Sequence, residues 1–163
     1  MTTRTQVLVP IIIAAVIVGV VGLSTLPGDA KRASSEFPIG TIKIDDVVLQ
    51  VQIADTEARR AGGLMFQDQL PYDEGMIFVF DQPGNYGLWM RNMQFALDMI
   101  WFDADGRVVD IIQGVPPCIT VEEIISCDTY QPEGKASYIL EVTSGFVEKY
   151  DITRDSILTV ISI

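Results

Sequence analysis

Histidine is absent from all 163 residues, and cysteine occurs only twice. The first absence removes the commonest general base and the Cys–His and Ser–His pairs that serve nucleophilic catalysis. Without imidazole, two thiols cannot complete a tetrahedral metal shell. Positive charge is scarce too: residues 36 to 163 hold 8 Lys and Arg against 21 Asp and Glu, a net of −13. Such a domain repels a phosphate backbone, and no basic stripe offsets it, so nucleic acid is set aside as a partner. Neither a phosphate-cradling glycine loop nor a metalloprotease helix motif occurs.

Charge is missing altogether from Thr5 to Gly28, and Val7 to Leu26 reads VLVPIIIAAVIVGVVGLSTL. That run is about the length that crosses a bilayer's hydrocarbon core. It exceeds the shorter apolar region of a cleaved signal peptide. The expected organisation is a flank over residues 1–6, an uncleaved transmembrane signal anchor over 7–26, a short polar linker over 27–36 and a β-rich soluble domain over 37–163. Arg4 at one end and Lys31 with Arg32 at the other nearly balance the positive-inside count. Cysteine therefore carries the orientation: Cys118 and Cys127 lie in a loop with Pro116, Pro117 and Pro132, and two lone thiols there suggest a disulfide outside the cytoplasm. Closing so short a loop stabilises by about 2–3 kcal/mol.

The domain itself reads as short strands. TIKIDDVVLQVQIA alternates on both sides of Asp45-Asp46, a hairpin in which Val47, Leu49, Val51 and Ile53 share one face. DTEARRAGG sets Asp55 or Thr56 as N-cap, with Gly62 or Gly63 ending a short helix. GMIFVFD is a buried strand and QPGNYG a turn-rich loop. GLWMRNMQFALDM, residues 87 to 99, is assigned to strands, and the hairpin after it turns on Asp105-Gly106. ASYILEV is a further strand, SGFVEKY a helical turn and SILTVISI the closing strand. The fold class is mainly β: a compact β-sandwich or barrel-like domain of seven or eight strands with one or two short helices, preceded by one N-terminal transmembrane helix.

Carboxylate pairs at Asp45-Asp46, Asp73-Glu74 and Glu122-Glu123 fall at turns or a helix start and read as solvated surface. DADG at 103–106 resembles the start of a calcium loop but lacks its third acidic ligand, so a hairpin turn is the expectation. Five methionines, Met65, Met76, Met90, Met93 and Met99, raise soft-metal binding by thioether. On a regular strand Trp89 and Met93 would stand about 13 Å apart, too far to share an ion. No cofactor is therefore assigned, with copper kept as an open alternative. More informative are Arg59, Asn92 and Asp98, polar groups set among large hydrophobes, which need partners if buried. Arg59 is expected to pair with Asp98, and Asn92 to bridge two backbones. A patch ringed by Trp89, Met65 and Met90 is the alternative.

Gly63-Leu64-Met65, Gly75-Met76-x-Phe78-x-Phe80, Trp89-Met90-x-Asn92, Leu97-Asp98 and Tyr138-x-Leu140-Glu141, in this order, resemble the family known as domain of unknown function one hundred and ninety-two. The resemblance runs from about Ile42 to the C-terminus. It implies a compact β-sandwich or barrel, often behind a signal peptide or anchor, and no established reaction. The positions that match it, Arg59, Met65, Met76, Trp89, Met90, Asn92, Asp98 and Glu141, become the candidate binding residues. The resulting expectation is a single-pass membrane protein that binds rather than catalyses, as an accessory or structural subunit of a membrane assembly. Small-ligand or copper binding at the Trp89 cluster is the alternative, and an enzyme using Asp98 or Glu141 as acid or base comes third.

Overall fold

The computed structural model describes residues 37–163. The flank, anchor and linker expected within residues 1–36 lie outside the described residues. Among those described, no helix is long and apolar enough to cross a membrane. Nine strands and three short helices follow one another among the described residues: β1 Ile39–Ile44, β2 Val47–Ala54, α1 Glu57–Gly62, β3 Glu74–Gly84, β4 Leu88–Trp89, β5 Leu97–Phe102, β6 Val108–Val115, α2 Val121–Ile125, β7 Thr129–Tyr130, β8 Ala136–Thr143, α3 Phe146–Lys149 and β9 Leu158–Ser162.

Seven strands form one sheet in the order β6-β5-β8-β3-β2-β1-β9, and β4 pairs with β7 separately. Every pairing in the large sheet is antiparallel except β2 with β3, where α1 and the chain after it make the crossover that a parallel pair requires. The edges of the sheet approach each other at one end. There Leu158 N–H donates to the Gly106 carbonyl at 2.8 Å, and Arg107 bridges to Ile157. Gly106, at φ +79°, is required at this seam, because a methyl group would collide with the Leu158 carbonyl oxygen. The domain is thus barrel-like, closed at one end.

Period-two alternation builds the two cores. Ile42 and Ile44 on β1 and Leu49, Val51 and Ile53 on β2 are buried, joined on the same face by Ile77, Ile100, Phe102, Leu140 and Val142, with Phe146 and Val147 of α3 above them. The opposite face of the central strands carries Met76, Phe78, Leu97, Met99, Trp101 and Ile139, covered by Leu64, Leu88, Met90, Met93 and Phe95. Apolar burial on both sides explains why all six residues of β5 are buried. Each large side chain so buried stabilises by roughly 1.5–3 kcal/mol.

Local chemistry sets the connections as expected. Thr56 caps α1 by accepting from Arg59 N–H, and Gly63 at φ +50° ends it. Asp103 Oδ1 accepts from the backbone of Asp105 and Arg107, which is hairpin-turn geometry. Three expectations are corrected. QPGNYG is not all loop, since β3 runs on through Gly84 past a register shift. The Cys-bearing loop holds a helix, α2, closed by a reciprocal Thr120–Glu123 capping box. GLWMRNMQFALDM is not continuous strand: β4 stops at Trp89, the chain turns, and β5 starts at Leu97.

Candidate functional site

That turn is where the site forms. Asn92 adopts φ +57°, a left-handed conformation that Asn tolerates better than most residues. Its N–H donates to the Cys118 carbonyl at 3.3 Å, and its own carbonyl accepts from Phe66 N–H at 3.0 Å. Cys118 N–H donates in turn to the Met90 carbonyl, and Cys118 is disulfide-bonded to Cys127. Three loops are therefore tied together beside β4. The turn folds Met93 back, so that it and Trp89 line the same cleft.

The cleft has a volume of about 410 Å³, within the range of small-molecule sites. Aromatic and thioether groups dominate its walls: Phe78, Phe80, Tyr86, Trp89, Met65 and Met93. Two rings are held in place by cations of the protein itself. Arg60 lies 5.0 Å over Phe80, which also stacks on Tyr86 at 3.6 Å, and Arg91 lies 4.8 Å over Trp89. Trp101 Nε1 donates to the Tyr86 carbonyl at 2.9 Å and fixes that part of the wall.

Two carboxyl side chains belong to the lining, exposed Glu57 of α1 and buried Glu141. Glu141 sits on β8, an interior strand of the sheet between β5 and β3, opposite Met76 of β3 and Met99 of β5. It is 3% exposed, and its Oε2 is buried without a hydrogen-bond partner. Burial raises its pKa from the ordinary 4.5 to about 8, so it is largely the neutral acid at neutral pH. Gly63 is its neighbour at the end of α1, where a side-chain carbon would stand 3.9 Å from Oε2, in ordinary contact. Such an arrangement offers a carboxylic O–H and lone pairs to whatever enters, in surroundings where a polar atom left bare is costly.

The family profile DUF192, described as an uncharacterized ACR, matches residues 40–160. The chain belongs to this family. No curated protein matches it. Two solved structures are similar to the DUF192 domain. One is a candidate transcription regulator from Sinorhizobium meliloti 1021, with a TM-score of 0.69, 22% identity, and coverage of 77% of this chain and 95% of that one. The other is a protein of unknown function from Novosphingobium aromaticivorans DSM 12444, with a TM-score of 0.66, 27% identity, and coverage of 74% of this chain and 84% of that one.

The eight candidate residues of this DUF192 domain do not form one site. Met65, Trp89 and Glu141 line the cleft. Met76 and Met90 are fully buried in the core behind it, together with Met99. Asn92 shapes the turn, and its side chain reaches only Met65 Sδ at 3.9 Å. The expected Arg59–Asp98 pair does not exist. Arg59 bonds Asp55 at 2.7 Å near the surface and holds that carboxyl below its usual range. Asp98 lies on the opposite face of β5, where it accepts from Gly114, Gly145 and Val147 N–H at 2.9–3.0 Å and anchors the start of α3. Backbone donors satisfy it because the α3 turn folds directly onto that face.

Reasoning from sequence missed Phe78, Phe80, Tyr86 and Met93 as lining residues, and Arg60 and Arg91 as ring supports. A signal for Glu141 was present in Ala136–Val142, where Ile139 and Glu141 share a face with buried apolar neighbours. No comparable signal marked Met93, since its place depends on the left-handed turn at Asn92.

Proposed function

We propose that this DUF192 domain is a membrane-anchored, extracytoplasmic small-molecule-binding domain whose site is the cleft between α1, β4 and β8. One observation carries the reading: a buried carboxyl with an unpartnered oxygen faces an apolar, aromatic-lined cleft of about 410 Å³. The anchored, extracytoplasmic setting is supported by the uncharged run of residues 7–26 and by the Cys118–Cys127 disulfide. Binding rather than catalysis is supported by a sequence without histidine, the commonest general base. The fold shared with the candidate regulator does not bring DNA with it, because 8 cations against 21 anions over residues 36 to 163 oppose a duplex. Ligand-observed NMR of the full-length protein against a mixture of small aromatic compounds tests the site. Hits that compete with one another and are lost in Trp89→Ala are expected; hits indifferent to Trp89→Ala, or none, overturn it.

A second reading, an accessory subunit of a membrane assembly, has support from α2 and its flank. Ile119, Val121 and Ile125 are all more than three-fifths exposed within seven residues, and clustered exposed apolar groups mark partner contacts. Purification from native membranes with a stoichiometric partner would favour this reading, and a lone protein would sink it.

A further inference from the structure

We infer that the ligand of this cleft carries a hydrogen-bond acceptor, a carbonyl oxygen on a flat apolar body, which takes a hydrogen bond from the buried carboxyl of Glu141. The inference rests on the cleft being a ligand site. It follows from what surrounds Glu141. Its cross-strand neighbours are Met76 and Met99, and the nearest part of the α1 end is Gly63, so none of the three contributes a charge. Asp98 of β5 points to the other face, into the α3 turn. The charged residues of the lining are Glu57 and Arg60, both on α1. Arg60 is engaged elsewhere: its Nη1 donates to the carbonyls of Asp55 and Val79 at 2.8 Å, and its guanidinium covers Phe80. Arg59 is bonded to Asp55.

Glu141 therefore has no ion-pair partner among the described residues, and a carboxylate in that position would be neither solvated nor paired. Its neutral form carries an O–H donor, and the complement of an O–H in an apolar, aromatic-walled cleft is an uncharged acceptor. An organic cation fits less well. It would have to ionise a carboxyl that burial keeps neutral, and the rings of Phe80 and Trp89 already hold the protein's own guanidinium groups. An anion would enter a domain whose net charge is −13 over residues 36 to 163, with Arg60 of the lining engaged by backbone carbonyls.

The test is a chemical-shift titration of the full-length protein with acetophenone, N-methylbenzamide, benzylamine and benzoate from pH 6 to pH 9. The two carbonyl probes are expected to bind, and to weaken about tenfold between pH 6 and pH 9 as Glu141 ionises near pH 8. Glu141→Gln retains an N–H donor and is expected to bind both within a few-fold of wild type, with the pH dependence removed. Glu141→Leu loses them. Benzylamine binding that strengthens with pH and disappears in Glu141→Gln overturns the acceptor inference while leaving the cleft as a ligand site. Carbonyl probes that bind equally to all variants do the same. If no probe binds, both readings fall.

Discussion

Replacing Glu141 by Gln removes a titrating group while keeping its volume, and the consequence for stability can be worked from its burial. The folded state holds a proton up to about pH 8, whereas the unfolded chain releases it near 4.5. Between those values the folded state binds more protons, so raising the pH favours unfolding. The stability present below pH 4.5 is lost at about 1.4 kcal/mol per pH unit, roughly 3 kcal/mol by pH 7 and about 5 kcal/mol once pH passes 8. Because the residue is only 3% exposed, solvent screening does not discount this. Other carboxylates titrate too, but they keep their surroundings in the variant and cancel in the difference. Urea unfolding of wild type and Glu141→Gln at pH 5, 6, 7, 8 and 9, followed by tryptophan fluorescence, gives that difference directly. The variant's advantage is expected to grow by about 1.4 kcal/mol per unit from pH 5 and to level off above pH 8. Curves that stay parallel across the range would show that Glu141 is ionised when folded, and would remove the basis for its donor role.

Asp98→Ala is expected to cost on the order of 3–5 kcal/mol, since the N–H groups of Gly114, Gly145 and Val147 all lose their acceptor. Asp98→Asn, which keeps one acceptor oxygen, should lose about half as much, and a loss below about 1 kcal/mol for the Ala variant in urea unfolding would refute the anchoring role. Reducing the Cys118–Cys127 bridge should lower stability by about 2–3 kcal/mol. It should also speed hydrogen exchange at Asn92 and Cys118, whose N–H groups bond across the tied loops, and unchanged exchange there would separate the disulfide from the cleft wall.

Much of the fold was legible because its determinants are local. The hairpin around Asp45, the Thr56 cap and the Gly63 stop of α1, and the turn on Asp105-Gly106 all follow from side-chain alternation and backbone preferences within a few residues. The α2 helix was misread because five residues between prolines and cysteines show no full helical period, although Thr120 and Glu123 spelled out its capping box. The stretch from Gly87 to Met99 failed for a different reason. Asn92 is held at positive φ by bonds to Cys118 and Phe66, which are 26 residues away on either side, and no local pattern encodes those bonds.

By itself the sequence determined the class of protein: a mainly β domain, strongly acidic, with two cysteines in one loop. Only the tertiary structure decided which polar residues are anchors and which face a cleft. Asp98 and Glu141 both read as acidic residues inside apolar strands, yet β5 and β8 turn them to opposite faces of one sheet. On one face the α3 turn supplies two donors to Asp98 and Gly114 of β6 a third; on the other Glu141 meets methionines, aromatic rings and an open space. What surrounds a buried carboxyl sets its protonation and its role, and those surroundings are assembled from segments that are distant in the chain.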